Sequence, residues 1–131
     1  MKFIKKLFFT AVGLIGVCPA VFSMSYDEAL LNHFYFEHAS VSAEYCERSS
    51  FSTQAALAGW QLKHQTTRRE MSKVIQLRMV NRGLNKKEQE TLLAKAVKTH
   101  RNDAQKHNAK KMPNCQRFDF QLKMYSDLMV H

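Results

Sequence analysis

Residues 112–120 read MPNCQRFDF, and the reading of this short stretch decides the architecture. Met112 precedes a proline, a position biased away from helical geometry, so a helix arriving from the N-terminal side ends here. Asn114 offers a side-chain oxygen to cap a new helix. Behind it Cys115, Phe118, Leu122, Tyr125 and Met129 repeat at helical spacing along one face.

Working outward, the segment that Pro113 closes starts at Asn85. Asn85 and Glu88 have the spacing of a capping box, and Leu93, Val97, His100, Ala104 and His107 make a thin inward stripe. Arg82-Gly83-Leu84 before it is a helix stop, with Gly83 suited to the left-handed conformation and Leu84 placed to fold back on Met79. The helix it ends is expected to run from a cap at Ser49 or Ser50, with Trp60, His64, Thr67, Met71 and Val74 inward and a bend at Gly59. Ser25 and Glu28 form another capping box, opening a first helix that carries Leu31, Phe34, His38, Val41 and Tyr45 on one broad apolar face. No stretch alternates with the period of a strand. Four helices joined by short connections predict an all-α protein, a small antiparallel four-helix bundle of the up-down-up-down kind.

In that topology the first helix ends and the fourth begins at the same pole, which brings Cys46 and Cys115 together. Export makes the pairing reasonable. Lys2, Lys5 and Lys6 precede an uncharged apolar run from Leu7 to Val17, and small residues follow. That is the layout of a signal peptide, and the run is well short of the roughly 20 residues that span a bilayer. Residues 1–23 are therefore expected to be removed and residues 24–131 to form one domain without a membrane span, periplasmic or secreted. Cys18 leaves with the signal, since Val17 is too bulky for the residue before a lipid-modified cysteine. An even pair of cysteines in an oxidising compartment predicts a Cys46–Cys115 disulfide. Ligation of a metal by two cysteines lacking a C-x-x-C partner is the weaker reading.

The mature chain is basic, with seventeen Lys and Arg against eleven acids. Its charge is also uneven. Residues 24–65 carry a net −3, while residues 66–117 carry fourteen basic residues against four acids, a net +10. Many such faces are simply solvated. The functional reading is an anionic partner, either a protein or an anionic component of the cell envelope, held by Arg78, Arg82, Lys86, Lys87, Lys98 and Arg101. Nucleic acid fits poorly, because residues 66–117 contain no Phe, Tyr or Trp for base stacking.

Motifs for catalysis are missing from the sequence. There is no G-x-S-x-G, no C-x-x-C-H for haem attachment, and no glutamate followed three places later by histidine as in di-iron bundles. No enzyme activity and no cofactor are expected. The alternative is a metal- or haem-binding bundle using inward histidines, with His64, His100, Asp103 and His107 as the candidate ligands; the last three lie along one face of the third helix. The small, exported, one-domain layout resembles periplasmic immunity proteins, and in being basic and all-helical it resembles the Spy-type periplasmic chaperones. Both likenesses are of architecture, and Leu84-Asn-Lys-Lys-Glu-Gln89 has one residue too many for the chaperones' L-T-x-x-Q motif. The expected function is that of a non-enzymatic binding protein of the envelope, immunity-like or chaperone-like.

Overall fold

Ser25 opens the first helix through both arms of its capping box: its Oγ accepts the Glu28 amide at 3.3 Å, and the Glu28 carboxylate accepts the Ser25 amide at 2.6 Å. The computed structural model describes residues 24–131, so the expected signal peptide over residues 1–23 lies outside the described residues. Those residues form five α-helices and no strand: α1 Tyr26–Arg48, α2 Gln54–Lys63, α3 Gln65–Asn81, α4 Lys86–Lys110 and α5 Phe118–Leu128. No helix among them is long and apolar enough to cross a membrane.

The count differs from the expected four because the second helix is broken, and the break falls at His64 rather than at Gly59. His64 ends α2 and starts α3, with its ring held by Ser126 of α5 at 2.9 Å. The start of α2 also differs. Ser50 sits at φ 67° and closes α1 in a Schellman motif, with the Phe51 amide returning to the Cys46 carbonyl and the Ser50 amide to that of Glu47. Neither Ser49 nor Ser50 is left to cap α2. The Glu47 carboxylate does so, accepting the Thr53 and Gln54 amides, and these bonds hold its pKa below the usual carboxylate range. At the other end, α5 begins at Phe118, beyond Cys115, because Asn114 spends its side chain on the Arg117 amide in a turn.

The stops and starts around α4 follow the sequence closely. Gly83 adopts φ 76°, its amide bonds the Val80 carbonyl, and the Leu84 amide folds back to Met79. Asn85 and Glu88 complete a second capping box. Cys46 and Cys115 are joined as a disulfide, with Cα atoms 5.3 Å apart.

α1 is the central element, packing against each of the other four helices, while α2 also meets α3 and α5. Cross-helix contacts give the directions. Arg78 lies over Tyr26 and Arg68 over Phe36, so α3 runs opposite to α1. His33 meets His100 and Ser42 meets Asn108, so α4 runs parallel to it. Phe36, Trp60, Met71, Ile75, Met79, Leu122 and Tyr125 belong to one apolar core. α4 contributes little to burial: only Ala104 and Asn108 are buried along its whole length.

Candidate functional site

α3 and α4 are joined by a tight turn, yet neither has with the other an interface like the one it makes with α1. The space between them is a groove of about 500 Å³. Its floor is α1, through His33, Phe36 and Glu37. Met71, Ile75 and Met79 of α3 face Leu93 and Val97 of α4 across it, and Arg68 and Lys86 stand at its edge with Gln89 and Glu90. Met71, Ile75 and Met79 also belong to the core, so they form the depth of the groove rather than its rim.

The hairpin that bounds the groove is basic and also carries exposed apolar side chains. Leu77, Val80, Leu92 and Leu93 are exposed large hydrophobics clustered on α3 and α4. A shallower hollow beside the turn combines Leu84 and Leu92 with Arg82, Lys87 and Lys95. Of the residues expected to hold an anionic partner, Arg78, Arg82, Lys86, Lys87 and Lys98 are exposed. Arg101 differs. Its guanidinium makes two contacts with the Glu44 carboxylate at 2.7 and 2.8 Å and lies 3.5 Å from Glu37, so its charge is neutralised within the chain. These carboxylates push its pKa up.

The histidines lie mostly along the α1–α4 seam. His33 and His100 meet Nδ1 to Nδ1 at 2.7 Å, with Phe34 edge-on to the His100 ring. Burial lowers His33 to about 4, helped by the neighbouring His100 and Arg68. Burial also lowers His100, against the pull of Glu37 and Asp103. One helical turn on, His38 takes part in a buried cluster with Tyr125 Oη at 2.6 Å and Ser42, and the exposed ring of His107 covers it with centroids 5.1 Å apart. Burial and His107 hold His38 at about 4. Asn108 donates to Ser42 at 3.3 Å and closes the cluster.

The four candidate metal ligands are divided among these places. His64 bonds Ser126 and stacks on His131, and burial lowers its pKa. His100 is paired with His33, and His107 lies over His38. Asp103 is exposed and acts on His100 only through its charge. Among the described residues no group of three or more His, Cys, Asp and Glu is arranged to hold a metal ion.

Sequence reasoning passed over His33, which lies beside the apolar stripe of α1 rather than on it. The signal was a second stripe, His33, Glu37 and Glu44, at helical spacing on the face that α4 covers. Its counterpart is the adjacent pair His100-Arg101. No protein-family model, no curated protein and no solved structure matches this chain.

Proposed function

We propose that the chain is a non-enzymatic binding protein of the cell envelope, exported after loss of residues 1–23, whose α3–α4 hairpin holds an acidic, amphipathic segment of a partner protein. In this reading α2 and α3 count as one broken member of a four-helix bundle, and the groove is where a further helix seats against α1. The observation that carries it is the separation of α3 and α4, which leaves a groove lined by Leu93 and Val97 of α4 with the core residues Met71, Ile75 and Met79 in its depth. A third helix laid between two others at the usual 8–10 Å interaxial distance buries such a surface, and helix-in-groove recognition is a common mode. The partner's acidity follows from the net +10 of residues 66–117. Such a surface would serve immunity-like occlusion of an effector or chaperone-like holding of a client.

The test is a pair of helical peptides with the same apolar stripe, one flanked by glutamates and one by lysines, titrated against the oxidised protein and followed by fluorescence anisotropy. The acidic peptide should bind and weaken as salt rises, since exposed charges are screened beyond about 10 Å at 0.1 M. Leu93→Glu should abolish its binding. Replacing Arg78, Arg82, Lys86 and Lys87 with glutamine should slow association more than it speeds dissociation. Equal binding of both peptides, or binding that Leu93→Glu leaves intact, sinks the proposal.

A further inference from the structure

The α4 wall of the groove is held to α1 by a seam rich in polar pairs, with Phe34 against His100 and buried Ala104 as apolar members. From the groove outward it consists of His33 with His100, then Glu37 and Glu44 with Arg101, then His38 with His107, and Ser42 with Asn108. Its buried members on α4 are Ala104 and Asn108 alone. The N-terminal part of α4, residues 86–95, is exposed apart from half-buried Gln89, and that is the part forming the groove wall.

An Nδ1-to-Nδ1 contact at 2.7 Å needs one proton between the two rings. A neutral pair supplies it, one ring donating and the other accepting, and so does a singly charged pair. A doubly charged pair cannot, because two N–H groups then point at each other. We propose that the His33–His100 contact is an acid-sensitive latch, whose second protonation frees the N-terminal part of α4 from α1 and alters the groove. The hinge is the opposite pole, where the Cys46–Cys115 disulfide tethers the segment that follows α4 to the end of α1.

The surrounding charges bear on this latch from each packed element. α3 presents Arg68 to His33, which adds to the repulsion; α1 presents Glu37 to His100, and α4 itself presents Asp103, both of which moderate it. The depressed affinity of His33 for protons matches a contact that excludes the doubly charged state. Since the two rings titrate as a unit, the transition belongs to the pair. His33 also lines the groove, so its charge changes the groove's own field as well as its width. This inference deepens the docking reading by supplying its regulation, but it can be tested without any partner.

The test is hydrogen–deuterium exchange with mass spectrometry on the oxidised protein at pH 7.5 and 5.0, corrected for the intrinsic pH dependence of exchange. The lower value lies above the ordinary carboxylate range, which leaves the Arg101 contacts outside the window. Protection of amides in 90–100 should fall about tenfold or more on acidification relative to α1, because each pH unit below the free-imidazole pKa multiplies the weight of the open form by up to ten. The double variant His33→Gln, His100→Gln keeps two neutral hydrogen-bonding side chains and should show a much smaller fall, the remainder belonging to His38 against His107. His100→Gln alone, which leaves one titrating ring, is the second variant if the double one fails to fold, and it should reduce the fall. Unchanged protection in the native protein, or an equal fall in the variants, overturns the latch. Either outcome leaves peptide binding at pH 7.5 untouched, so failure here and failure of the docking reading are distinguishable.

Discussion

The side chain of Asn32 holds the backbone of Val130 at both ends of its polar edge: its Nδ2 donates to the Val130 carbonyl at 2.8 Å and its Oδ1 accepts the Val130 amide at 3.0 Å. Asn32 is fully buried in the second turn of α1, and Val130 is the penultimate residue. Asn32→Ala should therefore destabilise by about 2–4 kcal/mol, because it removes two hydrogen bonds and strands two backbone groups. Asn32→Asp keeps one acceptor and loses the donor, so it should also destabilise. Urea denaturation measures both. A loss below about 0.5 kcal/mol for the alanine variant would mean that water replaces the amide without cost.

Reduction should matter comparably. The Cys46–Cys115 bridge spans 69 residues, and closing a loop of that order contributes about 4 kcal/mol in the chain-entropy model. The Cys46→Ser, Cys115→Ser variant should unfold at clearly lower urea than the oxidised protein, and reductant should lower the midpoint of the native protein but not that of the variant. Equal midpoints with and without reductant in the native protein would contradict this.

Stability should fall with acid in the imidazole range. His33 and His38 protonate at about 4 in the folded chain and near 6.5 when unfolded, so the unfolded chain binds more protons between those values. Their contribution is complete above about pH 6.5, declines as pH drops, and is gone below about pH 4. Urea midpoints at pH 7.5, 5.5 and 4.5 should trace the decline, and His38→Gln should flatten it. Tyr125→Phe, which leaves the ring but takes the hydroxyl from His38, Ser42 and Gln121, should cost about 1–3 kcal/mol at neutral pH.

The two described glycines should respond with opposite signs. Gly59 is exposed within α2 and an added Cβ meets nothing within 4 Å, so Gly59→Ala should stabilise by about 0.5–1 kcal/mol. Gly83 has equal room but sits at φ 76°, so Gly83→Ala should destabilise by about 1 kcal/mol. Thermal unfolding of the pair is the check.

Local chemistry was legible wherever a single side chain decides the backbone. Ser25, Gly83 and Asn85 set three boundaries through contacts with residues at most four positions away, and pattern reading needs no more than that. Cys46 and Cys115 were legible because compartment and topology pointed to the same pairing. The break at His64 was not, because it accompanies a contact with Ser126, which lies 62 residues on. The groove was hidden for the same reason. Nothing local to Met79 or Leu93 tells that α3 and α4 stand apart; that depends on α4 leaning on α1 along His33, Glu37 and Glu44. Arg101 looked like one more exposed cation until the fold brought two carboxylates to it.

The central position of α1 also has a bearing on how the chain comes into being. The ribosome makes this helix before the other four, so every partner it packs on is made later, and the residue that Asn32 grips lies 98 positions on. α2 and α3 are the first partners to arrive and α4 and α5 follow, while the Cys46 thiol waits for Cys115, 69 residues on. The packing of α1 is thus completed by contacts distant in sequence, which cost more loop-closure entropy than the local ones. The face of α1 that meets α4 and α5 therefore stays uncovered until those helices have been made.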